Sequence, residues 1–318
     1  MLKKLFSVCI AWVLLYGVGY ARELILPKEI LPDEYIAERD QYGNFIAEET
    51  SRFYSMGPDE CSGPAYRCRG IMVSAFESDN DYWMQSYPAL SKISLSYWTK
   101  RTTGKTRYNN AAWLGTGFML WPSEVADRLS GGHVFEPEYT CVFAAEALTG
   151  EHLHNGCGGD GGHSWPKCQA LGIENLRQYT DQFGHVRLNA CGFALGITPE
   201  SDRRAFDNAL SLQLSEVSIY GGTFYNEVLT KGWRDDSPEK IPLLGFFYIQ
   251  GRNRLQPHGY LGIVQNNQMA FYKKTDIFVP VIRVTGTDWE HVRFEYRIAD
   301  QSADIPEKVR VNADMSIN

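Results

Sequence analysis

A glutamate stands at position 227 in a setting where its carboxylate could do chemistry. Asn226-Glu227 precedes Trp233 and then the apolar run PLLGFFYIQ at 242–250. A carboxylate beside aromatic rings suits a cationic substrate, or a transition state that develops positive charge. The chain has 38 acidic residues, so residue type alone does not single this one out. Two other groups of residues could complete a site. Arg67 and Arg69 flank Cys68 where a β-rich run begins. An arginine at a strand end can fork onto a phosphate or pyrophosphate, the plain alternative being a solvated surface charge. Ser94 and Ser96 share one face of the alternating run ISLSYW, with Tyr97 on the other face.

Several familiar chemistries are disfavoured. Cys157-Gly-Gly-Asp-Gly-Gly-His163 lacks the Gly-Lys-Ser/Thr ending of a phosphate loop and reads as a flexible loop. His152, His154, Asp160 and His163 crowd the same loop, but their spacing matches no standard zinc motif. No G-x-S-x-G elbow occurs, which disfavours the common serine hydrolases. Cysteines paired as disulfides cannot serve as nucleophiles.

The N-terminus explains why the cysteines should pair. Lys3 and Lys4 precede a nearly unbroken apolar stretch at 5–18, and Gly19-Tyr20-Ala21 offers small residues for cleavage. Residues 1–21 read as a secretory signal peptide, too short for a membrane span. The expected location is periplasmic or secreted. Without Lys3 and Lys4 the mature chain is two charges more acidic than the formal −7 of the whole. An acidic chain with no basic run is a poor partner for nucleic acid, and no second segment is long enough to cross a bilayer.

Six cysteines remain after the signal: Cys61, Cys68, Cys141, Cys157, Cys168 and Cys191. An even number in an exported chain predicts three disulfides. Short loops favour Cys61–Cys68 and Cys157–Cys168, which leaves Cys141–Cys191. Zinc is the rival reading, weakened by the absence of any C-x-x-C pair.

These residues must be positioned by the surrounding elements. Residues 22–60 read as a polar leader with one short helix near 34–39, and residues 61–318 as a single domain. Strands are expected at 66–76, 93–98, 115–121, 139–144, 242–250, 277–284 and 291–298, with a short helix or strand end at 225–233. Helical spacing marks 173–183 and 200–214, the latter through Phe206, Leu210 and Leu214. Strands outnumber helices without regular alternation. The expected class is therefore α+β, with a mixed, mostly antiparallel, disulfide-stabilised sheet.

The ordered set of segments resembles the halovibrin family, secreted bacterial proteins associated with ADP-ribosyltransferase or NAD-glycohydrolase activity. It runs through Ala65-Tyr66, Cys68, Gly70, Ser94-Leu95-Ser96-Tyr97 and Gly117-Phe118-Met119-Leu120-Trp121-Pro122. It continues through Cys141, Gly156-Cys157-Gly158, Cys168-Gln169, Gly172-Ile173, Asn226-Glu227, Trp233 and Pro242 with Phe246-Phe247-Tyr248. Gln265, Gln268, Phe271-Tyr272 and Val279-Pro280-Val281-Ile282-Arg283 complete it. One departure stands out: Ser74 occupies the first-strand position where the relatives carry an arginine.

The resemblance implies an ADP-ribosyltransferase-like fold and cleavage of NAD at the nicotinamide–ribose bond. Glu227 would stabilise the oxocarbenium-like transition state and Asn226 would orient it. Arg69, or second Arg283, would clamp the pyrophosphate. Ser94 and Ser96 would position the substrate, as on the serine-bearing strand of bacterial ADP-ribosylating toxins. Tyr97, Trp233 or Tyr272 would stack on nicotinamide, and Gln265 and Gln268 would hydrogen-bond substrate or acceptor. NAD would be the substrate, with no metal or other cofactor required, and a host or target-cell protein is a candidate acceptor. Two other classes stay open on the residues themselves. One is a non-catalytic exported module that binds an envelope component or host surface. The other is a metal-dependent hydrolase using His152, His154 and His163.

Overall fold

The computed structural model describes residues 36–55, 71–75, 92–100, 115–120, 139–143, 157–158, 164–165, 167–183, 191–195, 201, 204–209, 227–231, 243–250, 260–288 and 290–311. The strands fall where β-branched and aromatic residues concentrate. They are β1 (Ile36–Glu38), β2 (Ile71–Ala75), β3 (Lys92–Trp98), β4 (Thr116–Leu120), β5 (Tyr139–Phe143), β6 (Cys157–Gly158) and β7 (Ser164–Trp165). They continue with β8 (Phe193–Ala194), β9 (Glu227–Lys231), β10 (Leu243–Ile249), β11 (Val281–Gly286), β12 (Val292–Tyr296) and β13 (Lys308–Arg310). The helices are α1 (Arg39–Ser55), α2 (Leu176–Phe183) and α3 (Leu261–Thr275), with a further helical stretch at 204–209.

Nine strands form one sheet in the order β12-β11-β10-β4-β2-β3-β9-β5-β8. Its described pairings are antiparallel except β10–β11, which α3 connects. This is the mixed α+β architecture expected from the sequence. Partners opposite one another in register point to the same face, so the sheet sorts its side chains into two cores. One face carries Leu95, Phe118, Val142, Val228, Phe246 and Val281, packed with Tyr179 of α2, Phe206, and Val264 and Phe271 of α3. The other carries Ile71, Val73, Trp98, Met119, Phe247, Ile282 and Val284, packed with α1. A smaller cluster of Cys141, Phe143, Cys157 and Leu229 extends the α1 face toward the β5 edge.

The polar leader expected over 22–60 needs correction. Its helix runs Arg39–Ser55, not 34–39, and buries Tyr42, Ile46, Phe53 and Tyr54 against the sheet. Gly43 lets the Tyr296 ring lie on the helix backbone, where a Cβ would overlap that ring. The Tyr296 hydroxyl donates to Asp40 at 2.8 Å. β1 pairs with β13, so the folded unit already includes residue 36. The frequent charged residues of this stretch hid an apolar stripe at helical spacing.

The expected disulfide pairing is also corrected. The described bonds are Cys141–Cys157 and Cys168–Cys191, with Cα separations of 5.4 and 5.1 Å. Strand adjacency decided the partners, not loop length: β5 lies beside β8, and Cys157 joins Cys141 and Phe143 of β5 in one cluster. The Cys168 amide donates to Gly192 O at 2.8 Å, which places Cys191 beside Cys168. Cys61 and Cys68 lie outside the described residues, as do residues 1–21. Among the described residues no helix is long and apolar enough to cross a membrane.

Candidate functional site

Three neighbouring strands, β3, β9 and β5, build the site. Glu227 opens β9 and lies opposite Phe143 of β5. On its other side β9 pairs with β3, with Leu229 opposite Ser94 and Val228 opposite Leu95. One further step of that register sets Glu227 beside Ser96, which in turn lies opposite Val73 of β2. Phe143, Glu227, Ser96 and Val73 thus form one row across four strands, all on the face that α1 covers. The adjacent row holds Cys141, Leu229 and Ser94. Glu227 is 4% exposed and Ser96 6% exposed. A carboxylate held within a largely apolar row is screened little by solvent, so its charge acts strongly on any cation formed beside it.

The other expected site residues divide into two groups. Asn226, Arg69 and Trp233 lie outside the described residues, as do the side chains of Ser94 and Tyr97. Among the described residues, Ile71 at the start of β2 pairs with Trp98, at the end of β3 that also carries Ser96. The entry to β2 and the entry to β9 therefore lie at the same end of the sheet. Ser74 is buried and pairs with Phe118 on the opposite face from Glu227.

The second group is placed away from Glu227. Arg283 is on β11, five strands from β9, or roughly 24 Å at the usual strand spacing. It pairs with Tyr248 and Glu295 on the sheet face opposite Glu227. Its guanidinium donates to Gln250 Oε1 and to Glu295 Oε2, at 2.8 and 2.7 Å, and lies 3.9 Å from Asp300 Oδ2. Burial alone would lower the Arg283 pKa, but Glu295, Tyr248 and Asp300 together raise it. Burial, then Asp300, push the Tyr248 hydroxyl well above the usual tyrosine range. Arg283 is thus engaged by Gln250, Glu295 and Asp300, away from Glu227.

The α3 residues serve the fold in the same way. Gln268 is 1% exposed; its amide donates to Val279 O and Gln301 Oε1, and its oxygen accepts from the Ser302 amide, each at 2.9 Å. Gln301 extends the lattice by donating to Val281 O and accepting from the Val281 amide. Gln265 donates to Asp300 O and Gln301 O. Tyr272 packs against the α1-side core, and burial, then Asp276, raise its pKa. These amides pin α3 to the β11 region, five strands from Glu227. Gln268→Leu is expected to cost about 2–3 kcal/mol in urea unfolding, because it strands buried partners.

Two residues that the sequence did not mark belong to the site. Phe143 faces Glu227 across β5 and β9, and Gly192 lies against its ring. The alternation of YTCVF, which sets Cys141 and Phe143 on one face, was the available signal. His152, His154, Asp160 and His163 lie outside the described residues. A scan against protein-family models and a search of curated proteins each return no match.

Proposed function

We propose that the protein cleaves the nicotinamide–ribose bond of NAD and passes ADP-ribose to water or to a protein side chain. One observation carries the reading: a buried glutamate opens one strand beside a buried serine of the next, on one face of a mixed sheet. This is the arrangement expected of a serine-bearing strand that positions a dinucleotide beside a catalytic carboxylate. The likeness to an ADP-ribosyltransferase fold is part of the proposal.

The chemistry asks little more of the chain. Nicotinamide leaves as a neutral base, taking the electron pair of the C–N bond, so no strong general acid is needed. Positive charge grows on the ribose ring and its oxygen as that bond lengthens. Glu227 balances the charge and holds a ribose hydroxyl, and Asn226 orients it. Ser94 and Ser96 fix the substrate against β3. Arg69 takes the pyrophosphate. Tyr97 or Trp233 stacks on nicotinamide. The acceptor oxygen or nitrogen then bonds to the ribose carbon and loses its proton.

The halovibrin-like residue set and the signal-like N-terminus fit an exported, effector-like enzyme that meets another cell's NAD. Disulfide bonding suits that setting. The test is nicotinamide release by the mature protein without added metal, with and without candidate protein acceptors. Folded protein that releases no nicotinamide at saturating NAD would overturn the reading. In the same assay Arg69→Gln is expected to raise KM for NAD by about tenfold, the loss of one charge-assisted contact. Arg283→Gln should leave KM within twofold and lower stability by about 2 kcal/mol.

A further inference from the structure

We infer that Gly192 and Phe143 are positioning residues for Glu227, and that the two disulfides fix them; this rests on the NAD-cleaving role proposed for that glutamate. The two ends of the arrangement are a covalent anchor and a buried carboxylate. Cys191, the neighbour of Gly192, is bonded to Cys168, whose amide donates to Gly192 O at 2.8 Å. Gly192 is thereby held on both sides. Cys157, bonded to Cys141 of β5, brings its sulfur to the same spot. A Cβ built on Gly192 would lie 2.6 and 2.7 Å from Phe143 Cζ and Cε1, and 2.9 Å from Cys157 Sγ. The end of the Phe143 ring is thus pressed onto bare backbone between two disulfides. Phe143 is fully buried and stands directly opposite Glu227, on the same face. Side chains so paired have Cβ atoms about 5 Å apart. Whatever fixes the ring therefore limits the rotamers open to the carboxylate.

Glycine is needed here for closeness of approach, so added bulk has one place to push. Gly192→Ala drives the ring toward Glu227. Phe143→Leu removes the ring atoms that Gly192 touches and leaves the carboxylate room to swing. Each variant is expected to lower kcat for nicotinamide release on the order of tenfold to a hundredfold with KM for NAD little changed, because the reacting geometry shifts while the binding groups stay. The pair of changes is expected to recover most of the loss, since the alanine methyl refills the space that leucine vacates.

A second readout keeps this inference separate from the NAD reading. The side-chain carboxyl of Glu227, labelled with carbon-13 and assigned by its absence in Glu227→Gln, can be titrated by NMR. Its titration curve is expected to move in each single variant and to return in the double variant. If wild-type protein releases no nicotinamide but the titration behaves so, the function fails and the positioning stands. An unmoved titration with wild-type kcat in folded Gly192→Ala or Phe143→Leu would overturn the positioning itself. Should Gly192→Ala not fold, Phe143→Leu, which adds no bulk, carries the same two outcomes.

Discussion

On the proposed NAD-cleaving reading, Glu227→Gln is expected to release nicotinamide at least about a hundredfold more slowly than the wild type, with KM little altered. The substitution keeps the shape of the side chain and removes its negative charge. What is lost is the balance to the positive ribose, which exists only in the transition state, so the change falls on kcat. Burial makes the charge count: at 4% exposure water does little to screen it. Because glutamine is isosteric with glutamate, a melting curve separates loss of the charge from loss of the fold. Steady-state kinetics and a melting curve on the same preparation suffice. Turnover equal to wild type would remove Glu227 from the mechanism. Equal losses of activity and stability would recast it as a structural residue.

Loss of the described disulfides is expected to have the largest effect on stability. Cys141–Cys157 and Cys168–Cys191 close loops of 16 and 23 residues in sequence separation. Each cross-link then restricts the unfolded chain by about 3 kcal/mol. Together they approach the whole stability of an ordinary domain. All four cysteines are 0–2% exposed, so a thiol reductant reaches them only when the chain opens. Urea unfolding is expected to shift to lower midpoint by an amount matching about 3 kcal/mol in Cys168→Ala/Cys191→Ala, and by a similar amount in Cys141→Ala/Cys157→Ala. With dithiothreitol the protein should keep its structure until urea or heat opens it, then fail to refold. An unchanged midpoint in both double variants would show the bonds to be dispensable.

The strands were legible because their residue types and alternation agree with half-buried sheet. ISLSYW, GTGFMLW and PLLGFFYIQ each became a strand within a residue or two of the expected ends. Helices α1 and α3 were not legible, for different reasons. In α1 the apolar stripe of Tyr42, Ile46, Phe53 and Tyr54 is diluted by charged neighbours. In α3 the run Gln265-Asn266-Asn267-Gln268 breaks the apolar pattern, because this helix buries amides as well as hydrocarbon. Glu227 and the serines of β3 could be picked out by type, yet nothing local to either segment says that they become neighbours. Conversely, Gln268 and Arg283 carry side chains suited to a ligand, and the fold uses both internally. Polar type gives the chemistry a residue can do, and only tertiary placement says on whom. The disulfides repeat the lesson, since sequence distance was a worse guide than strand adjacency.

The pairing of β1 with β13 bears on the order of events during folding. Ile36 meets Arg310 and Glu38 meets Lys308, the Arg39 amide donates to Glu307 O, and its guanidinium donates to Ile305 O. A chain made from its N-terminus holds β1 without this partner until β13 has been synthesised. The same holds for α1, whose main platform includes β12. Contacts so distant in sequence are slow to form, because a long loop must close before they repay the lost entropy. Until β12 and β13 have been made, β1 has no strand to pair with and the apolar stripe of α1 has no complete platform, so both are expected to join the sheet late.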